Sequence, residues 1–143
     1  MCSGIEFDDQ LHLWQDPAVQ LPVLRRDGSV QWLPWGGRHG IETRFFQGPC
    51  ARLESLRAGK WQRFSPRPVK IPLTRYMERD ARGRPYWVKV GPGQYLQGVV
   101  ATQAGEQRVY VVTTESPATF RHVQDRWPRV IPDGGTDASA DPA

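Results

Sequence analysis

The sequence predicts a single α+β domain built mostly from antiparallel strands, with a few short helices. Its 143 residues are enough for one hydrophobic core and too few for two large ones. The 14 glycines and 13 prolines favour strands and turns over long helices. We therefore expect one domain over residues 1–131, followed by a disordered acidic tail over residues 132–143.

Strand-like runs separated by turn residues account for most of the predicted elements. Residues 5–20 predict a short strand or coil and then a loop. Asp27-Gly28 predicts a two-residue hairpin turn with positive φ at both positions. The predicted strands cover residues 21–26, 29–35, 69–78, 84–90, 94–102, 108–114 and 129–131.

Two stretches predict short helices. In residues 51–64, apolar side chains recur at about one helical turn. Ser116-Pro117 is a typical helix start and leads into residues 118–123, whereas residues 125–128 predict a turn.

The charged residues are strongly segregated along the chain. Residues 1–20 hold four acidic residues and no Lys or Arg, whereas residues 38–89 hold ten Arg and three Lys against four acidic residues. An arginine-rich surface suits bidentate contact with phosphate groups. The alternative is a solvated basic face that keeps the protein soluble.

Trp35-Gly36-Gly37-Arg38-His39-Gly40 predicts a flexible basic loop after a strand. Three glycines beside an aromatic ring would let a nucleic-acid backbone approach closely, so Trp35, Gly36 and Arg38 are candidate DNA-binding residues. An ordinary surface connection is the alternative.

The chain has two cysteines, Cys2 and Cys50. Two thiols, no signal peptide and no apolar run near 18 residues indicate a cytoplasmic protein without membrane association, rather than a disulfide scaffold. We expect a monomer that uses neither a metal nor a cofactor.

Cys2 directly follows the initiator methionine, so removal of Met1 would leave it with both a free α-amine and a thiol. An aldehyde forms a Schiff base with such an amine, and the adjacent thiolate then closes a five-membered thiazolidine ring. Roughly a tenth of a free α-amine is uncharged at pH 7, so the reaction needs little tuning. The alternative is that Cys2 serves as an ordinary small apolar residue.

Seven short motifs occur in an order that resembles the SOS response-associated peptidase family. They are Met1-Cys2, Pro22 to Gly28, Trp35-Gly36, Ala51 to Ser55, Tyr76 to Glu78, Tyr110 to Thr114 and Asp125 to Pro128. The resemblance spans about residues 1–131. It implies a curved, barrel-like antiparallel sheet, with Cys2 at the floor of a basic groove for single-stranded DNA.

The resemblance also implies an activity, the processing of abasic sites in single-stranded DNA. The N-terminal Cys of the family traps the C1′ aldehyde as a thiazolidine crosslink, and the implied chemistry is lyase-like. By position, Glu78 would shuttle protons, and Arg52 and Arg126 would hold phosphates. The alternative for Glu78 is a surface carboxylate paired with Arg75 or Arg79.

Four positions depart from the pattern of the family. Ser3 and Gly4 stand where the family has Gly-Arg, which removes one expected phosphate-binding arginine. Cys50 stands where an Asn fixes the catalytic Cys. Gln124, which cannot titrate, stands where a His assists the Schiff-base steps, and His122 is the alternative for that role.

Two other functions are compatible with the same residues. A degenerate relative would bind nucleic acid or a partner through its Arg and Trp side chains, without chemistry. A true peptidase would use Cys2 as a self-cleaving nucleophile that removes Met1. A crosslink to abasic DNA that depends on Cys2 separates abasic-site trapping from the degenerate relative.

Overall fold

A computed structural model describes residues 1–39 and 44–132 of the chain. The described residues form twelve strands, one α-helix and two 3-10 helices. In chain order these are β1 Cys2–Phe7, β2 Gln10–Leu13, β3 Gln20–Leu24, β4 Val30–Pro34, β5 Cys50–Arg52, α1 Leu53–Arg57, a 3-10 helix Gln62–Phe64, β6 Arg67–Ile71, β7 Arg75–Arg79, β8 Pro85–Lys89, β9 Gln94–Gln103, β10 Glu106–Glu115, a 3-10 helix Ala118–Phe120, β11 Arg126–Pro128 and β12 Val130–Pro132. Within these ranges, no helix has the length and apolar character that crossing a membrane requires.

The strands form three sheets. The first has the order β2-β1-β7-β8 and the third is the hairpin β3-β4. The second has the order β11-β10-β9-β12, with β5 beside β10 and β6 beside β9. Every strand pair is antiparallel except β5 with β10. The predicted α+β domain of mostly antiparallel strands and few short helices is confirmed, and the sheets do not close into a barrel.

The core consists of two hydrophobic clusters on opposite faces of the long β9–β10 pair. The larger cluster joins all three sheets and contains Ile5, Leu21, Ile71, Leu96 and Val109. The smaller cluster packs α1 and the first 3-10 helix against the other face, through residues such as Leu56, Phe64, Val99 and Tyr110. Cys2 of β1 belongs to the larger cluster and Cys50 of β5 packs against it, so these two strand ends come together in the interior.

The hairpin turns differ from those predicted. Asp8 and Asp9 have φ of 55° and 62° and join β1 to β2 in a tight turn. Asp-Asp does not predict such a turn, because positive φ at both positions is typical of Gly and Asn. The predicted two-residue turn at Asp27-Gly28 is wrong, because only Gly28 has positive φ, at 88°. The Gly28 N–H donates to the Arg25 carbonyl at 3.0 Å, so the turn is longer and β3 ends at Leu24.

Three other predicted elements are corrected. Residues 69–78 belong to two strands in different sheets. The strand is interrupted at Pro72, and the Thr74 backbone N–H donates to the carbonyl of Glu6. The predicted turn at residues 125–128 contains β11, and the predicted helix over residues 118–123 is a single 3-10 turn. Pro132 ends β12, and the rest of the predicted tail, residues 133–143, lies outside the described residues.

Candidate active site

A β-bulge places the Cys2 side chain in the core. Cys2 is opposite Glu78 on β7 and Gly4 is opposite Met77, so Ser3 is the extra residue on β1. Positions 2 and 5 of a regular strand would face opposite sides of the sheet. With the bulge, Cys2 and Ile5 share one face, and both are completely buried.

Glu78 faces Cys2 across the β1–β7 pair and is also completely buried. The α-amine of Met1 donates a 2.6 Å hydrogen bond to Glu78 Oε1, and Oε2 has no partner among the described residues. Burial raises the pKa of Glu78 to about 7, against the smaller opposing effect of the amine. Both protonation states are therefore populated near neutral pH, as a proton shuttle requires.

The alternative reading of Glu78 as a surface carboxylate does not fit this geometry. Arg75 pairs instead with Glu6 on β1, at 2.9 Å between Arg75 Nε and Glu6 Oε1. Arg79 donates to the carbonyl of Gly83 at 2.9 Å. The partner of Glu78 is the amine at the start of the chain.

Cys50, the first residue of β5, lies against Cys2 from the second sheet. Cys50 packs on the cluster that contains Cys2, and its thiol is close enough to raise the pKa of the Cys2 thiol. Burial raises the pKa of Cys50 to about 12. Burial, followed by the nearby Cys50 and Glu78, raises the pKa of the Cys2 thiol well above its usual value. Cys2 must therefore lose its proton during any attack by its sulfur.

Gln124 and His122 lie at the edge of this centre. Gln124 Nε2 donates a 2.5 Å hydrogen bond to the carbonyl of Arg79, the residue after Glu78, and so ties residues 116–125 to β7. His122 is exposed, and its ring is edge-on to Tyr86 with centroids 6.4 Å apart. The structure thus brings Cys2, Glu78 and Cys50 together, with Gln124 bonded to the residue after Glu78 and His122 on the surface.

The two predicted phosphate-binding arginines have different surroundings. Arg126 donates to both carboxylate oxygens of Glu54, at 2.9 and 2.7 Å, and to the carbonyl of Thr113 at 2.9 Å. Its charge is therefore compensated within the protein. Arg52, at the end of β5, is exposed.

Arg52 lines a cleft of about 280 Å³ that reaches Cys50. The other residues lining the cleft are Phe46, Ala51, Ser55, Lys60 and Trp61. Lys60 was not predicted as a site residue, because nothing local distinguishes it from the other cations of the basic segment. The cleft places two cationic side chains on the approach to Cys50 and hence to Cys2.

Trp35, Gly36 and Arg38 stabilise the fold. Trp35 is 1% exposed, and its indole N–H donates to the carbonyl of Pro49 at 3.0 Å. A Cβ on Gly36 would lie 2.3 Å from the Gly48 carbonyl oxygen, so the close approach that this glycine permits is to the chain's own backbone. The Arg38 guanidinium lies over the Trp14 ring, 3.3 Å from its centroid. The structure shows these contacts within the fold, and the role of the three residues in DNA binding stays a prediction.

Comparison with known proteins provides a fold relationship. A scan against protein-family models matches none of them, and a search of curated proteins finds no similar sequence. The structure is similar to the crystal structure of a phage-related protein from Bordetella bronchiseptica, with a TM-score of 0.57 and 19% sequence identity. The match covers 81% of this chain and 62% of that protein's chain, so this chain spans less than two thirds of its length. The two proteins share a fold.

Proposed function

We propose that the protein traps abasic sites in single-stranded DNA as a thiazolidine crosslink on Cys2, as the resemblance to the SOS response-associated peptidase family implies. The observation that carries this proposal is the position of the chain's amine, 2.6 Å from the buried Glu78 carboxyl group that faces Cys2. Removal of Met1 would make the Cys2 nitrogen the free α-amine, on the residue directly opposite Glu78. The amine, the thiol and a proton-transfer group would then belong to two facing residues.

The proposed reaction joins an aldehyde to the aminothiol and releases one water. The Cys2 amine attacks C1′ of the ring-opened sugar, and protonated Glu78 donates its proton as the hydroxyl leaves, which gives an iminium ion. The Cys2 thiol then transfers its proton to the Glu78 carboxylate as sulfur attacks the iminium carbon. Burial raises the pKa of the Cys2 thiol, so an adjacent base is needed for this second step.

The cleft beside Cys50 supports the DNA part of the proposal. Arg52 and Lys60 line it and are cationic, and Cys50 connects it to Cys2. Phosphates on either side of the reacting sugar would be neutralised there. Ring closure is intramolecular, so the sulfur attack has a high effective molarity once the imine has formed.

A gel assay tests the proposal directly. Protein whose loss of Met1 is verified by mass spectrometry should form a heat-stable shifted band with a single-stranded oligonucleotide that carries one abasic site. Cys2→Ala should give no band, whereas the matched control Cys50→Ala should retain it. Three outcomes would each contradict the proposal. Met1 is retained in all of the protein, the processed protein gives no band, or the band persists in Cys2→Ala.

Nucleic-acid binding without chemistry is the second candidate. The complete burial of Cys2 in the chain that carries Met1 favours it, because a buried thiol is shielded from large substrates. In the same gel assay, this function predicts reversible retention of the oligonucleotide under native conditions and no band after heating.

The salt dependence of DNA binding should distinguish the two arginines. Each phosphate contact contributes a log–log slope of about −0.7 with single strands, so Arg52→Ala should make the slope shallower by about that amount. Arg126→Ala should change it less, because Glu54 already compensates Arg126. Glu54→Gln should make the slope steeper, since it releases the Arg126 charge. Fluorescence anisotropy over a salt series measures all three.

Arg25→Ala is the matched control for the salt series. Arg25 is exposed in the β3–β4 turn and does not line the cleft. If Arg25→Ala and Arg52→Ala shift the slope equally, then the cleft is not the phosphate-binding surface.

A further inference from the structure

Four aromatic rings run in contact from the core to the surface on the side of β7 and β8 that carries Glu78. We call Tyr76, Trp127, Phe120 and Tyr86 the aromatic ladder. The Trp127 indole N–H donates to the Tyr76 hydroxyl at 2.7 Å, and Phe120 stacks on Trp127 with ring centroids 4.4 Å apart and an interplanar angle of 4°. Phe120 in turn meets Tyr86 edge to face, with centroids 6.3 Å apart.

Strand register places the outer end of the aromatic ladder in line with the reactive centre. Glu78 on β7 is opposite Cys2 on β1 and also opposite Tyr86 on β8. Directly opposed residues of antiparallel strands point to the same face, so Cys2, Glu78 and Tyr86 form one row across three strands. With strands about 4.8 Å apart, the Cα atoms at the two ends of this row are about 10 Å apart.

Exposure rises along the aromatic ladder. Tyr76 and Trp127 are each 2% exposed, whereas Tyr86 is 39% exposed and lies on the edge strand of its sheet. Phe120 contacts the Tyr86 ring edge to face, and His122 does the same at an angle of 88°. Tyr86 is thus an oriented ring that remains accessible to solvent, in a row with Cys2 and Glu78.

We propose that Tyr86 is the platform on which the base next to the reacting sugar stacks. This inference rests on the proposed function, because it takes the row of residues to begin at a sugar bound to Cys2. A base on Tyr86 would extend the aromatic ladder by one ring and orient C1′ of the neighbouring nucleotide toward Cys2. Every base has a π-face, so the presence of a base matters here and its identity matters little.

The test uses three proteins and a fluorescent base. Wild type, Tyr86→Phe and Tyr86→Leu are mixed with single-stranded oligonucleotides in which 2-aminopurine stands on one or the other side of the abasic site. Wild type and Tyr86→Phe should quench 2-aminopurine on one side. Tyr86→Leu should lose that quenching and bind about tenfold more weakly, as expected when base–aromatic stacking is lost. All three proteins should trap 2-deoxyribose 5-phosphate at the same rate, since this aldehyde has no neighbouring base.

Each outcome decides between specific alternatives. Unchanged quenching and affinity in Tyr86→Leu overturn the stacking role, and so does slower trapping of the small aldehyde, which would indicate a structural role. If Tyr86→Leu fails to fold, Tyr86→Trp applies the same test, because its larger ring should deepen the quenching. Quenching that depends on Tyr86 in a protein that traps no aldehyde would support stacking and overturn the crosslinking proposal.

Discussion

Replacing Glu78 with glutamine is expected to slow release of DNA from the Cys2 crosslink by about 10²–10⁴-fold, the usual cost of losing a positioned general acid–base group. Crosslink formation should slow less, because closure of the ring is intramolecular. Release is measured by chasing a labelled crosslink with unlabelled abasic oligonucleotide. Glu6→Gln is the matched control, since Glu6 lies on β1 with Cys2 but pairs with Arg75.

The pH dependence gives a second readout of the same substitution. Because the pKa of Glu78 is raised to about 7, release in wild type should change with pH through a midpoint near 7, and this midpoint should be missing from Glu78→Gln. A midpoint near 7 that persists in Glu78→Gln would assign the titration to another group and remove Glu78 from the mechanism.

The Glu78 carboxyl group should also make the free energy of unfolding decrease as pH rises. The pKa of Glu78 is about 7 in the folded protein against an ordinary 4.5, so the folded state holds its proton more tightly. The stabilisation is complete below about pH 4.5 and is lost as pH rises through 7, a fall of about 3 kcal/mol in the free energy of unfolding. Urea denaturation between these pH values should show this fall in wild type and a flatter profile in Glu78→Gln.

Mild oxidation is expected to abolish aldehyde trapping completely and reversibly, by linking Cys2 to Cys50. The two thiols give up two protons and two electrons to an oxidant such as diamide, and the resulting disulfide leaves no sulfur for the thiazolidine ring. The packing of Cys50 on the cluster that contains Cys2 supports this pairing. Burial raises the pKa of both thiols, so the reaction should be slow at neutral pH and faster in mild alkali.

Mass spectrometry after alkylation and the crosslinking gel together test this pairing. Free thiols should fall from two to zero in a monomer, and dithiothreitol should restore both thiols and trapping. Cys50→Ser should trap aldehyde and resist the oxidant. The pairing is wrong if diamide leaves both thiols free, or if it inactivates Cys50→Ser to the same extent as wild type.

The sequence predicted those elements of the fold that local chemistry determines. The strand with Trp87 and the long pair with Val100 and Val109 carry clear signals, and they lie within one to two residues of the predicted positions. The division of residues 69–78 between two sheets could not be predicted in this way. It depends on a long-range hydrogen bond from Thr74 to Glu6, which no local pattern contains.

The candidate site shows the same division between local and long-range information. The chemistry of Cys2 follows from its residue type and position, and its contact with Cys50 was expected from the resemblance to a known family. The burial of Trp35 was missed, because its loop sequence looks like an exposed connection while its indole reaches Pro49 in the interior. Tyr86 was missed because only the strand register aligns it with Glu78.

The bulge at Ser3 makes the length of the amino terminus a condition of the proposed activity. In a regular strand of the same length, without the bulge, the sulfur would lie on the opposite side of β1, where a Cβ on Gly4 would already lie 2.7 Å from Leu13 Cδ2. An extension before Cys2 would keep the sulfur in place but leave an amide, which forms no imine, where the amine should be. Protein for assay must therefore begin at Cys2. Any affinity tag should be at the carboxyl end, or on a cleavable leader that leaves no extra residue before Cys2.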